Sequence, residues 1–187
     1  MLESKLKPFV YKKMDILFVP LNPPEKSNTI GHYFSRTNLF WKILFENGLI
    51  TRKVWEKHDW KTTADTLVFG GNSINYKNSI YGIHDLAPDM VENNSKNVDL
   101  SSNYLKEMVE CITEREIKIV CIMHKMVFNE FKKIEKIKWV QPIHYGYIGD
   151  LNNTVIFWVP FPISFNKTKD NNWRSYSLLK DKLSESM

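Results

Sequence analysis

Two strongly apolar runs, each followed along the chain by residues at helical spacing, constrain this chain more than any other feature. The first is Ile16-Leu17-Phe18-Val19, bounded by Asp15 and Pro20; the second is Ile117-Lys118-Ile119-Val120-Cys121-Ile122. A strand that faces water on one side alternates apolar and polar residues, whereas a strand covered on both faces reads as a continuous apolar run. Both runs therefore predict interior strands of a parallel sheet. The residues after them support this. Phe40, Trp41, Leu44 and Phe45 repeat with helical period and meet a stop at Gly48, and Val127, Phe128 and Phe131 follow the second run.

The rest of the chain fits the same alternation. Leu105, Met108, Val109 and Ile112 stand at i, i+3, i+4 and i+7 behind Asp99 and Ser101, which predicts an amphipathic helix. Tyr145 to Gly149 and Val155 to Val159 flank a turn over residues 150–153 and read as a hairpin. A last helix is expected to bury Trp173, Tyr176, Leu179 and Leu183. A polar loop is expected around Pro23, Pro24, Ser27, Asn28 and Gly31. Residues 51–80 are the least legible: Trp55 and Trp60 suggest a helix and Gly70-Gly71-Asn72 a turn. The expected fold is α/β, a three-layer α/β/α sandwich on a mostly parallel central sheet, in one domain spanning residues 1–187. Such sheets place ligands at the carboxyl ends of their strands. That rule selects the loops after Val19 and after Val159.

Composition narrows the function classes. Lys and Arg number 26 against 21 acids, a formal charge of +5, which suits a polyanionic partner without requiring one. The two cysteines, Cys111 and Cys121, are too few for a four-thiolate zinc or iron–sulfur site and read as small hydrophobes. The apolar run behind the basic N-terminal residues is too short for a secretory core or a membrane span, so an intracellular protein is expected. There is no Gly-rich phosphate loop and no P-loop lysine, which speaks against an ordinary nucleotide-binding domain.

The chemistry-bearing segments come in a definite order. Pro20-Leu21-Asn22-Pro23-Pro24 is followed by Gly31-His32-Tyr33-Phe34 and by Asn38-Leu39-Phe40-Trp41. Then come Tyr81-Gly82-Ile83-His84-Asp85, Asp99-Leu100-Ser101-Ser102, His124-Lys125 and Pro160-Phe161-Pro162-Ile163-Ser164-Phe165-Asn166-Lys167. This order resembles the uracil-DNA glycosylase superfamily, and within it the mismatch-specific uracil/thymine branch, over nearly the whole chain beyond the first dozen residues. The resemblance implies a monomeric, monofunctional DNA glycosylase that needs no metal and no organic cofactor. Its partner is DNA, double- or single-stranded, carrying a damaged base.

By that resemblance, Asn22 holds the attacking water through its carboxamide oxygen, and the Leu21 amide and Tyr33 ring contact the extruded base. Tyr33 is preferred to Phe34 only by its spacing from Trp41. Ser164, Phe165, Asn166 and Lys167 stand where the branch contacts DNA, with Phe165 in the place of the wedge and Lys167 in that of a backbone-contacting Arg. Lys169 and Arg174 could add phosphate contacts. Breaking a deoxyribose–uracil bond needs a positioned water and donors aimed at the departing base more than a strong nucleophile.

Two departures matter. Pro20 and Pro24 replace glycines around the Asn-containing loop, which removes amide donors and stiffens it. Asp85 stands where the branch has Asn or Lys, and three readings of it remain open. As an acceptor it could read an N–H on the base edge, of uracil or thymine or of a deaminated purine such as hypoxanthine or xanthine. It could instead activate the water, or merely cap a turn before Pro88. The rivals to uracil excision are accordingly a deaminated-purine glycosylase and a catalytically silent DNA-binding module of the same fold.

Overall fold

The computed structural model describes residues 3–162 and 169–187. Its core is a six-stranded sheet of order β2-β1-β3-β6-β5-β4. The strands are β1 (Lys13–Val19), β2 (Tyr81–Ile83), β3 (Glu116–Ile122), β4 (Ile137–Trp139), β5 (Gly146–Leu151) and β6 (Thr154–Trp158). β2, β1, β3 and β6 run parallel; β5 and β4 extend the sheet in antiparallel fashion. Helices α1 (Glu25–Ile30), α2 (Leu39–Glu46), α3 (Trp60–Val68), α4 (Ser102–Thr113), α5 (Lys125–Phe131) and α6 (Lys169–Glu185) surround it.

Both apolar runs are interior parallel strands, and alternation along them separates two cores. Ile16, Phe18, Ile119 and Cys121 join Phe40, Trp41, Leu44, Val68 and Tyr176 on one face, beneath α2, α3 and α6. Leu17, Val19, Val120 and Ile122 join Met108, Ile112, Val127 and Phe131 on the other, beneath α4 and α5. The molecule is the three-layer α/β/α sandwich that the alternation predicts. Trp41 is fully buried, so truncating it to Ala would cost about 3–5 kcal/mol.

Three elements differ from the sequence reading. The loop expected around residues 23–31 contains α1, a short polar helix ended by Gly31 in the left-handed conformation (φ 82°). β2 and β4, of three residues each, are too short to show a period. β2 is held at the sheet edge by close backbone approach. A Cβ on Gly82 would lie 2.7 Å from the Phe9 carbonyl oxygen and 2.4 Å from Met14 Sδ, so only glycine fits. Residues 51–80 contain 3-10 turns at Val54–Glu56 and Tyr76–Asn78, with α3 between them. Cys121 is buried and Cys111 partly so, and neither is in a disulfide. Among the described residues no helix is long and apolar enough to cross a membrane.

Candidate active site

Sheet register brings the first two site segments together. Phe18 of β1 lies opposite Ile83 of the parallel strand β2, so the chain leaves both strands on the same edge. Asn22 follows three residues after Val19, and Asp85 two residues after Ile83. The two loops are then joined by main-chain hydrogen bonds. Leu86 N donates to the Pro20 carbonyl at 2.9 Å, Ala87 N to that of Leu21 at 2.8 Å and Glu92 N to that of Pro23 at 3.1 Å. These bonds hold a proline-rich loop that has few amides of its own.

Asn22 completes this junction. Its Nδ2 donates to the Met90 and Glu92 carbonyls, both at 2.8 Å. Two strong acceptors on the nitrogen fix which way the amide faces, and Oδ1 is the end that can accept a further hydrogen bond. Asn22 is thus more than a cap on the turn before Pro23: it bridges two loops and lines the cavity they enclose. The Leu21 side chain points the other way, buried with Leu86 and Ala87 in the core beneath α4 and α5.

The cavity has a volume of about 210 Å³. Pro20, Asn22, Asp85, Tyr33, Phe34, Phe40, Phe161 and Pro162 line it, with Ser27, Pro24, Arg36 and Thr37 completing the wall. Phe161 and Pro162 come from the loop after β6, so both loops selected by the strand-end rule contribute. Tyr33 is buried, while Phe34 has a positive φ of 52° and stacks on Phe40 at 3.9 Å between ring centroids. A positive φ on a bulky residue is held only where the surroundings over-determine it. Here the Phe40 stack and an edge-on contact with Trp41 at 5.7 Å do so. Tyr33 and Phe34 both line the cavity, so the fold uses together two residues between which spacing alone had to choose.

Asp85 is only 2% exposed, and its Oδ2 has no hydrogen-bond partner. A cap would accept from the next amides, but those of Leu86 and Ala87 are bonded to the other loop. The capping reading is therefore set aside. Burial penalises the charged carboxylate and pushes its pKa up to about 7, against a smaller downward pull from the nearby Tyr33 hydroxyl. Burial, together with the neighbouring Asp85, in turn pushes the Tyr33 phenol well above its ordinary value. A buried carboxyl raised in this way and set in a cleft is a functional candidate on physical grounds.

Sequence reading missed Asp65. From α3, its Oδ1 pairs with His32 Nδ1 at 2.9 Å and its Oδ2 accepts the Tyr33 amide at 2.9 Å. A buried acid inside an otherwise illegible helix gave no periodic signal. Arg36, at the cavity rim, was likewise not singled out. His124 caps α5 by accepting from Met126 N, and its ring lies 6.5 Å from that of Phe161. Ser164, Phe165, Asn166 and Lys167, and the side chain of Trp173, lie outside what the structure describes. Among the described residues no three His, Cys, Asp or Glu side chains converge to hold a metal ion.

These features define an α/β sandwich with an aromatic, carboxyl-bearing cavity at the carboxyl ends of its parallel strands. No protein-family model matches the chain, and no curated protein matches it.

Proposed function

We propose that the chain is a DNA glycosylase that accepts an extruded uracil in this cavity and hydrolyses its N-glycosidic bond, leaving an abasic site. The observation that carries the reading is the pairing, in one aromatic-walled cavity, of an orientation-locked Asn22 amide with the unpartnered Asp85 oxygen. In this reading Asn22 Oδ1 holds a water against the sugar. The Tyr33 and Phe34 rings pack on the base, and Asp85 meets its Watson–Crick edge.

The raised pKa of Asp85 removes a difficulty in the edge-reading role. An ionised carboxylate would accept the uracil N3–H but repel the adjacent carbonyl. With a pKa near 7, a substantial fraction is the neutral acid at neutral pH, and that form can donate to the carbonyl. The same donor–acceptor pairing fits the lactam edge of hypoxanthine or xanthine, so the base preference belongs in the test.

The test is incision of labelled oligonucleotides carrying U·G, U·A, single-stranded U, T·G, hypoxanthine or xanthine, read after alkaline cleavage. Strand breaks at uracil support the reading, and breaks confined to the purines move it to a deaminated-purine glycosylase. Binding without any breaks would make the chain a silent DNA-binding module.

A further inference from the structure

Beside the cavity, on the same end of the sheet, runs a second groove. It is lined by Lys125, His144, Tyr145, Trp158, Arg174 and Leu178. The two sites are close: Lys125 follows His124, whose ring lies 6.5 Å from that of Phe161 in the cavity wall. Resting on the glycosylase reading, we propose that this groove is a track for single-stranded DNA flanking the extruded nucleotide, with Tyr145 as the platform on which a neighbouring base stacks.

Ring geometry supports the platform. Phe128 and Trp158 are stacked almost parallel, at 4.2 Å and 9°, and Tyr145 leans against Trp158 at 4.5 Å with its ring tilted by 53°. Trp139 closes the row edge-on to Phe128 at 6.0 Å. The inner rings brace the outer one, yet Tyr145 itself is 43% exposed. An aromatic ring supported from behind and left open in front is what base stacking needs, and every base has a face to offer it.

Charge complementarity supports the track. Lys125 and Arg174 flank the ring, and among the described residues no acid lines the groove and neither cation is in an ion pair. An apolar protein segment would not call for two cations here, whereas a phosphate backbone would.

The test uses undamaged oligothymidylate and the intact protein, with binding followed by fluorescence anisotropy and folding by circular dichroism. Tyr145→Ala should weaken single-strand binding by about five-fold to a hundred-fold, the range of one lost base stack, and Tyr145→Phe should restore it. Lys125→Ala and Arg174→Ala should each flatten the log–log salt dependence by about 0.7. Tyr147→Ala is the control: that ring is similarly exposed, at 39%, but its hydroxyl is bonded to Asp150 and it lies outside the groove. A folded Tyr145→Ala protein that binds the strand as tightly as the wild type overturns the proposal, as does an equal loss on fully paired duplex. Uracil excision that is intact in a protein with no Tyr145 effect removes the groove alone. A Tyr145-dependent groove in a protein that never excises a base removes the glycosylase reading alone.

Discussion

Asp65 holds Tyr33 by the main chain: its Oδ2 accepts the Tyr33 amide at 2.9 Å, while its Oδ1 pairs with His32 Nδ1 at the same distance. The next residue, Phe34, turns through a positive φ onto Phe40. One buried carboxylate from α3 thereby fixes the aromatic wall of the cavity that Asn22 and Asp85 also line. In Asp65→Ala the buried Tyr33 N–H loses its partner, which should cost about 1–3 kcal/mol in denaturant unfolding. An unchanged unfolding midpoint would show that the loop is held by other contacts.

Asp85 should set a pH dependence of stability. Its pKa rises from 3.8 to about 7 on folding, so between those values the folded state binds the proton that the unfolded state has released. Stability therefore falls as pH rises through this window, by about 1.4 kcal/mol for each pH unit crossed, and the penalty is complete above the folded pKa. Asp85→Asn removes the charge. The mutant should gain a few kcal/mol over the wild type at pH 8 and little at pH 4. A difference independent of pH would mean that the carboxyl is not desolvated.

Activity against pH separates the two working roles of Asp85. If the neutral acid donates to the base carbonyl, excision declines as pH rises past about 7. If the carboxylate activates water, excision declines as pH falls below it. In Asp85→Asn, edge reading predicts retained uracil excision with a changed ranking of bases and a flat profile. Water activation predicts a uniform loss on every substrate. The locked Asn22 amide, already available for the water, favours edge reading.

Phe165→Ala should hurt duplex substrates more than single strands, because a wedge assists only the extrusion of a paired base. Equal losses on both would make Phe165 structural.

Much of the fold was legible because burial on two faces leaves an unmistakable mark. Ile16–Val19 and Ile117–Ile122 read as interior strands, and the helices carrying Phe40, Met108 and Val127 had clear periods. β2 and β4 had too few residues for a period, and the polar α1 had no apolar face to reveal it. At the site, a family resemblance singled out Asn22 and Asp85, and the Phe18–Ile83 register is what brings their loops together. Asp65 was invisible because its partners are a main-chain amide and a histidine 32 and 33 residues away.

Everything in the proposed chemistry depends on Asn22 positioning the water that breaks the glycosidic bond. The decisive quantity is the single-turnover rate of uracil release from a single-stranded oligonucleotide, for the wild type and for Asn22→Ala, with DNA affinity recorded alongside. A water-holding Asn22 requires the mutant rate to fall by about two orders of magnitude or more, with affinity nearly unchanged. Excision by Asn22→Ala at the wild-type rate would contradict it.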